Sequence, residues 1–171
     1  MTETDLIGGI LEREGGYVDD PADRGGATNW GITAKSWGLY KGFGRQATRE
    51  EVKAITRAQA AEFYWGQHVR PSPFRSVGYE PLRVQLIDFG VNSGPERAIR
   101  WLQRVLDVPV TGRMDDRTEK ALQRDRGALV NRALVAARLY MIDRATDQGT
   151  IDRKFEEGLE SRALSFAEFS L

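Results

Sequence analysis

Apolar residues recur at helical spacing along most of this chain, and the interruptions are as informative as the runs. Leu6, Ile7, Ile10 and Leu11 form a stripe that predicts a short first helix, capped by Thr4 and stopped by Gly15-Gly16. Residues 17 to 32 then lose that period. They carry Asp-Pro and Gly-Gly pairs among Tyr, Val, Ala, Trp and Ile, which predicts a turn-rich loop or a small hairpin. Thr33 is expected to cap a short helix ending near Gly38 to Gly42. Two capping boxes follow, Thr48-x-x-Glu51 and Thr56-x-x-Gln59, the second opening a helix through "RAQAAEFYWGQ" that "RPSPF" breaks.

Pro81 stands where a helix begins, and "LRVQLIDFGVN" is apolar almost all round, as expected of a central buried helix. Gly94-Pro95 separates it from "ERAIRWLQRVLD". Three more helices are predicted, near 116 to 124, 127 to 145 and 151 to 168. No sustained strand is predicted outside the early loop. The fold class is therefore mainly α, a helical bundle with a small β-hairpin or loop near the N-terminus.

Composition narrows the chemistry. With 171 residues, 40% of them apolar, the chain is long enough for a real core, and no run approaches a membrane span. The N-terminus "MTETDLIGGILE" has acids where a secretory signal has basic residues, so synthesis in the cytoplasm is expected. Cysteine is absent, which excludes disulfides, thiolate metal sites and a cysteine nucleophile. The single histidine, His68, cannot by itself supply the two or more imidazoles of a hydrolytic zinc site. A serine triad through His68 lacks a G-x-S-x-G elbow. An enzyme of this composition works through carboxylates.

Net charge is zero, but charge is segregated: residues 1 to 33 hold seven acids against Arg13 and Arg24, and residues 97 to 144 hold eleven basic side chains against six acids. This predicts an acidic cleft and an Arg-rich face for anionic envelope polymers, or simply solvated helix faces.

The acids concentrate in "LEREGGYVDDPADRGGATNWGIT", residues 11 to 33. Glu14 continues the apolar stripe of the first helix, so a carboxylate stands where a core residue is expected. Burial disfavours the charged form, and the negative end of the helix dipole acts the same way. A glutamate so placed would hold its proton near neutral pH, as a general acid must; the alternative is a terminal residue fraying into water. Glycosidic cleavage needs a second carboxylate, for which Asp19, Asp20 and Asp23 are candidates, with the Thr28 hydroxyl available to hold the attacking water. Asp20, ahead of Pro21, also suits an Asx-turn. Glycines such as Gly26 permit close approach to a ligand, and Tyr17 and Trp30 are candidates to line sugar subsites or to pack on the core.

The stretch "EGGYVDDPADRGGATNWGIT" closely resembles the opening motif of glycoside hydrolase family 108, phage-type N-acetylmuramidases whose catalytic glutamate lies in an E-G-G-Y motif. The resemblance implies Glu14 as the catalytic acid; beside it, the residues themselves offer Asp23 and Thr28 as assisting groups and Tyr17, Asp20, Gly26 and Trp30 as substrate contacts. The stretch is also similar to the Glu, eight residues, Asp, five residues, Thr pattern of phage lysozymes, although here Thr28 comes one position early and Asn29 stands at the threonine's place. Further on, "DFGVNSGPERAIRWLQRVLDVPVTGRMDDRTEKALQ" is similar to the start of the family's peptidoglycan-binding region, which implies that Asn92 faces the saccharide; the alternative is that it caps the central helix.

The resulting expectation is a lysozyme-like catalytic region at 1–87 and a peptidoglycan-binding region at 88–171, packed into one monomeric globule that needs no metal or organic cofactor. It would cleave peptidoglycan as an endolysin does, reaching the wall from the cytoplasm through a holin or a secretion route. A non-catalytic wall-binding protein is the alternative. A nucleic-acid-binding bundle, suggested only by the arginines, is not expected, because acids intersperse them and no recognition motif stands out.

Overall fold

The computed structural model describes residues 2–19, 26–123 and 126–167. It is mainly α-helical with one two-stranded antiparallel sheet, as the periodicity predicts. The chain divides into two compact units, Glu3–Pro71 and Met1–Thr2 with Ser72–Leu171.

In the first unit, α1 (Glu3–Glu14) buries the stripe Leu6, Ile7, Ile10 and Leu11. Each such side chain is worth about 1.5–3 kcal/mol when withdrawn from water, and the stripe packs on α4 (Arg57–Tyr64). The helix begins at Glu3, so Thr4 lies within its first turn and not at the cap. It ends as expected: Gly15 takes φ 70°, and its N–H donates to the Leu11 carbonyl at 3.2 Å.

The loop then forms the hairpin β1 (Thr28–Asn29) and β2 (Ile32–Thr33), paired Thr28 to Thr33 and Asn29 to Ile32. Val18 adds a bridge on the outer edge of β1, exchanging two 2.8 Å backbone hydrogen bonds with Thr28. Thr33 caps α2 (Ala34–Lys41), which stops at Gly42 in the left-handed region. Both capping boxes form, on α3 (Arg49–Lys53) and α4. The last turn of "RAQAAEFYWGQ" widens into a π-helical turn, Trp65–Val69. An aromatic chain fastens α2 to α4: Trp37 stacks on Tyr40 at 5.6 Å, and Phe63 meets both rings and Tyr64.

In the second unit, α5 (Glu80–Ser93) is the buried central helix, packed by α6 (Pro95–Val105) and α8 (Gly127–Asp147). The α5 helix belongs wholly to this unit, which takes up the chain from Ser72 onward. Asp115 caps α7 (Asp116–Leu122) by accepting from the Thr118 N–H. A 3-10 turn (Arg153–Phe155) leads into α9 (Glu156–Leu164). Asp88, only 1% exposed, accepts from Arg138 Nη2 of α8 at 2.8 Å and from Arg162 Nε of α9 at 2.8 Å. One buried carboxylate thus ties three helices together.

Candidate active site

Glu14 is the last residue of α1, and its side chain is exposed. The expectation of a buried carboxylate is therefore corrected. The stripe ends at Leu11, because the chain turns away at Gly15 before another layer covers the position of Glu14. A carboxylate held open to solvent at a rigid helix end is accessible to a polymer.

Beside it stands the tip of the hairpin. Trp30 and Gly31 form a two-residue turn with φ of 54° and 71°, both positive, the signature of a type I′ turn. Asparagine is the usual first residue there, and a tryptophan at positive φ is a genuine outlier that costs about 1–3 kcal/mol unless its surroundings hold it. They do. The Trp30 indole Nε1 donates to the Ile55 carbonyl at 3.1 Å, and the Tyr64 hydroxyl donates to the Trp30 carbonyl at 2.9 Å. Asn29 Nδ2 lies 3.0 Å from the Val52 carbonyl, 3.1 Å from that of Lys53 and 3.2 Å from that of Ile55. Asn29, 4% exposed, is therefore a structural clamp.

Gly31 brings the turn against the carboxylate. A Cβ built there would stand 2.5 Å from Glu14 Oε2 and 2.8 Å from Tyr64 Oη. The absent side chain is what lets the two oxygens share this corner. Burial pushes the Tyr64 hydroxyl up to about 12, and the neighbouring Glu14 carboxylate adds to the shift. Tyr64 therefore stays neutral and keeps its proton for the Trp30 carbonyl. On its other side, His68 stacks on Tyr64 at 5.7 Å, and burial lowers the imidazole below its ordinary value.

The other predicted residues divide into three groups. Thr28 is half-buried in β1, its backbone bonded to Val18, and Tyr17 donates its hydroxyl to Asp19 Oδ2 at 3.2 Å. Desolvation and then Asp19 raise the Tyr17 hydroxyl above the usual tyrosine value, and Lys53 Nζ sits 5.7 Å over its ring. Asp19 pairs with Arg49 Nε at 3.5 Å. Gly26 takes φ 73°, a backbone role. Asp20 and Asp23 lie outside the described residues. Asn92 belongs to the second unit, where it is exposed and its Nδ2 donates to the Asp88 carbonyl one turn back.

Glu14, Trp30 and Gly31 thus come together, while Tyr64 and His68 enter unforeseen. A signal for Tyr64 was present: a hydroxyl on the buried face of the helix, beside Ala60 and Phe63, requires a partner. Among the described residues no group of three or more acidic or histidine side chains is placed to hold a metal ion, and no helix is long and apolar enough to cross a membrane.

Residues 7–94 match the family model described as Glycosyl hydrolase 108. The chain belongs to this family. As a glycosyl hydrolase 108 member it is a glycoside hydrolase, and the family supports a peptidoglycan substrate. The match takes in α1 from Ile7 to Glu14, the hairpin and α4 with Tyr64. Among solved structures, that titled "Structure of Brucella abortus SagA" is similar over 96% of this glycosyl hydrolase 108 chain and 95% of its own, at 29% identity and a TM-score of 0.63. No curated protein matches significantly.

Proposed function

We propose that this glycoside hydrolase is an N-acetylmuramidase that hydrolyses the β-1,4 bond between N-acetylmuramic acid and N-acetylglucosamine in peptidoglycan, with Glu14 as general acid. The observation that carries the reading is the accessible carboxylate of Glu14 against the Trp30–Gly31 turn, inside the segment that matches the family. Glu14 protonates the leaving glycosidic oxygen. Asp23 stabilises the positive charge that develops on the sugar or orients water with Thr28. Tyr17, Asp20, Gly26 and Trp30 are proposed to contact the glycan, the Trp30 ring through the part of its surface left exposed.

On this reading the place of action is the cell wall, reached from the cytoplasm by holin-dependent or secretory release, and the biological role is that of an endolysin. Replacing the acid as Glu14→Gln lowers turnover by about two to four orders of magnitude. A digest of purified peptidoglycan, with fragments identified by mass spectrometry after borohydride reduction, tests this directly. Wild type releases fragments ending in N-acetylmuramic acid, and the folded variant does not. Equal release by Glu14→Gln would discard the acid, and fragments ending in N-acetylglucosamine would discard the bond.

A further inference from the structure

We propose that Tyr64 is a positioning residue for the reaction: its hydroxyl, by bonding to the Trp30 carbonyl, holds the strained turn that sets where the Glu14 carboxylate stands. The inference rests on the reading of Glu14 as the acid. Three observations converge on it. The Trp30–Gly31 turn has positive φ at both residues, and the first is a bulky tryptophan that does not adopt this conformation unaided. The Tyr64–Trp30 hydrogen bond is 2.9 Å long and acts on the backbone of that residue. Glu14 Oε2 and Tyr64 Oη both crowd the space where a Gly31 side chain would be, so a small movement of the turn moves the floor beneath the carboxylate.

The hydroxyl has one proton, and the Trp30 carbonyl takes it. Tyr64 therefore acts on the acid through the turn and not by donating to it. The ring is held from both sides, by Phe63 edge-on at 5.6 Å and by His68 stacked at 5.7 Å, and it is 8% exposed. Removing the hydroxyl alone leaves this packing in place. The π-helical turn that carries His68 is itself a feature frequent at functional sites, and here it sets the imidazole against the tyrosine.

The experiment compares wild type, Tyr64→Phe, Trp37→Leu and Glu14→Gln in steady-state release of reducing ends from solubilised peptidoglycan, together with melting temperature and amide exchange at Gly31 and Ile32. A displaced catalytic group costs about 10- to 100-fold in kcat. Tyr64→Phe is expected to show that loss with little change in KM, faster exchange in the turn and a melting temperature close to wild type. Trp37→Leu, a core substitution on α2 whose ring meets Tyr40 and Phe63, is expected to melt lower while keeping kcat. Wild-type kcat in Tyr64→Phe with an inactive Glu14→Gln would overturn the positioning role alone. The same kcat loss in Trp37→Leu would also overturn it, by tracing the effect to general loosening of the core. Full activity of Glu14→Gln would instead overturn the reading of the acid.

Discussion

Gly31 shows how much one side chain can decide. Its φ of 71° is a conformation that an L-residue adopts at a cost of about 1–2 kcal/mol, and an added methyl would collide with the Glu14 carboxylate and the Tyr64 hydroxyl. Gly31→Ala is therefore expected to lose at least this much stability in urea titration and, unlike a substitution elsewhere on the surface, to depress turnover more than the loss of folded protein explains. Wild-type turnover per folded molecule would show that the carboxylate tolerates displacement. From the sequence, Gly31 was only a flexible residue in a glycine-rich loop. Its special position follows from a hairpin register, and register depends on pairing partners that are not neighbours in the chain. Glu14 illustrates the converse: its place at the end of the helix was legible, but its exposure was not, because a helical stripe says which face turns inward and not how far the covering layer extends.

Among the elements, the short helices at the start of the chain were legible almost to the residue. Thr33, Thr48 and Thr56 satisfy N-terminal N–H groups with their own side chains, so their signals are local and survive any tertiary context. The π-helical turn was not legible, since it arises where α4 must continue while turning His68 onto Tyr64. This turn carries a pH dependence. The folded state depresses the His68 value below its ordinary 6.5 through burial, so the unfolded chain binds the proton more tightly. The stability conferred by keeping the ring neutral is fully present above about pH 6.5, and it is lost as pH falls through that value toward the folded one. Denaturant midpoints are expected to drop between pH 7 and pH 5, and the drop is expected to be shallower in His68→Gln. An unchanged slope in that variant would assign the dependence to other groups.

At the scale of the whole molecule, each unit has its own apolar core, and the second adds a buried ionic centre. Asp88 and Arg138 are 1% and 5% exposed, and Arg138 Nη1 has no hydrogen-bond partner among the described residues. Desolvation lowers the Arg138 value, while the Asp88 charge pulls it back up. Breaking such a centre on one side leaves buried positive charge uncompensated, which costs about 3–5 kcal/mol. Asp88→Ala is expected to lose stability of that order in urea unfolding, whereas replacing the exposed Glu96, paired with Arg100 at 2.9 Å, changes it by less than about 1 kcal/mol. Equal effects would mean that the three-helix tie carries no special weight. Asp88 stands in the segment "DFGVNSG", and its partners lie 50 and 74 residues away, beyond the reach of any local pattern.

The mainly helical class, most of the caps and stops, and the glutamate at the end of the first helix are all legible in the chain's local pattern. All of these rest on periodicity or on contacts within a few residues. The sequence also marked the segment through which the chain is a glycosyl hydrolase 108 member, since an ordered run of uncommon pairs is a linear signal. The exposure of Glu14, the clamp made by Asn29 and the reach of the Tyr64 hydroxyl to the Trp30 carbonyl, beside the Glu14 carboxylate, appear only once the chain is folded. Those outcomes depend on which surfaces meet when the helices pack, and close packing brings together groups that no spacing along the chain relates.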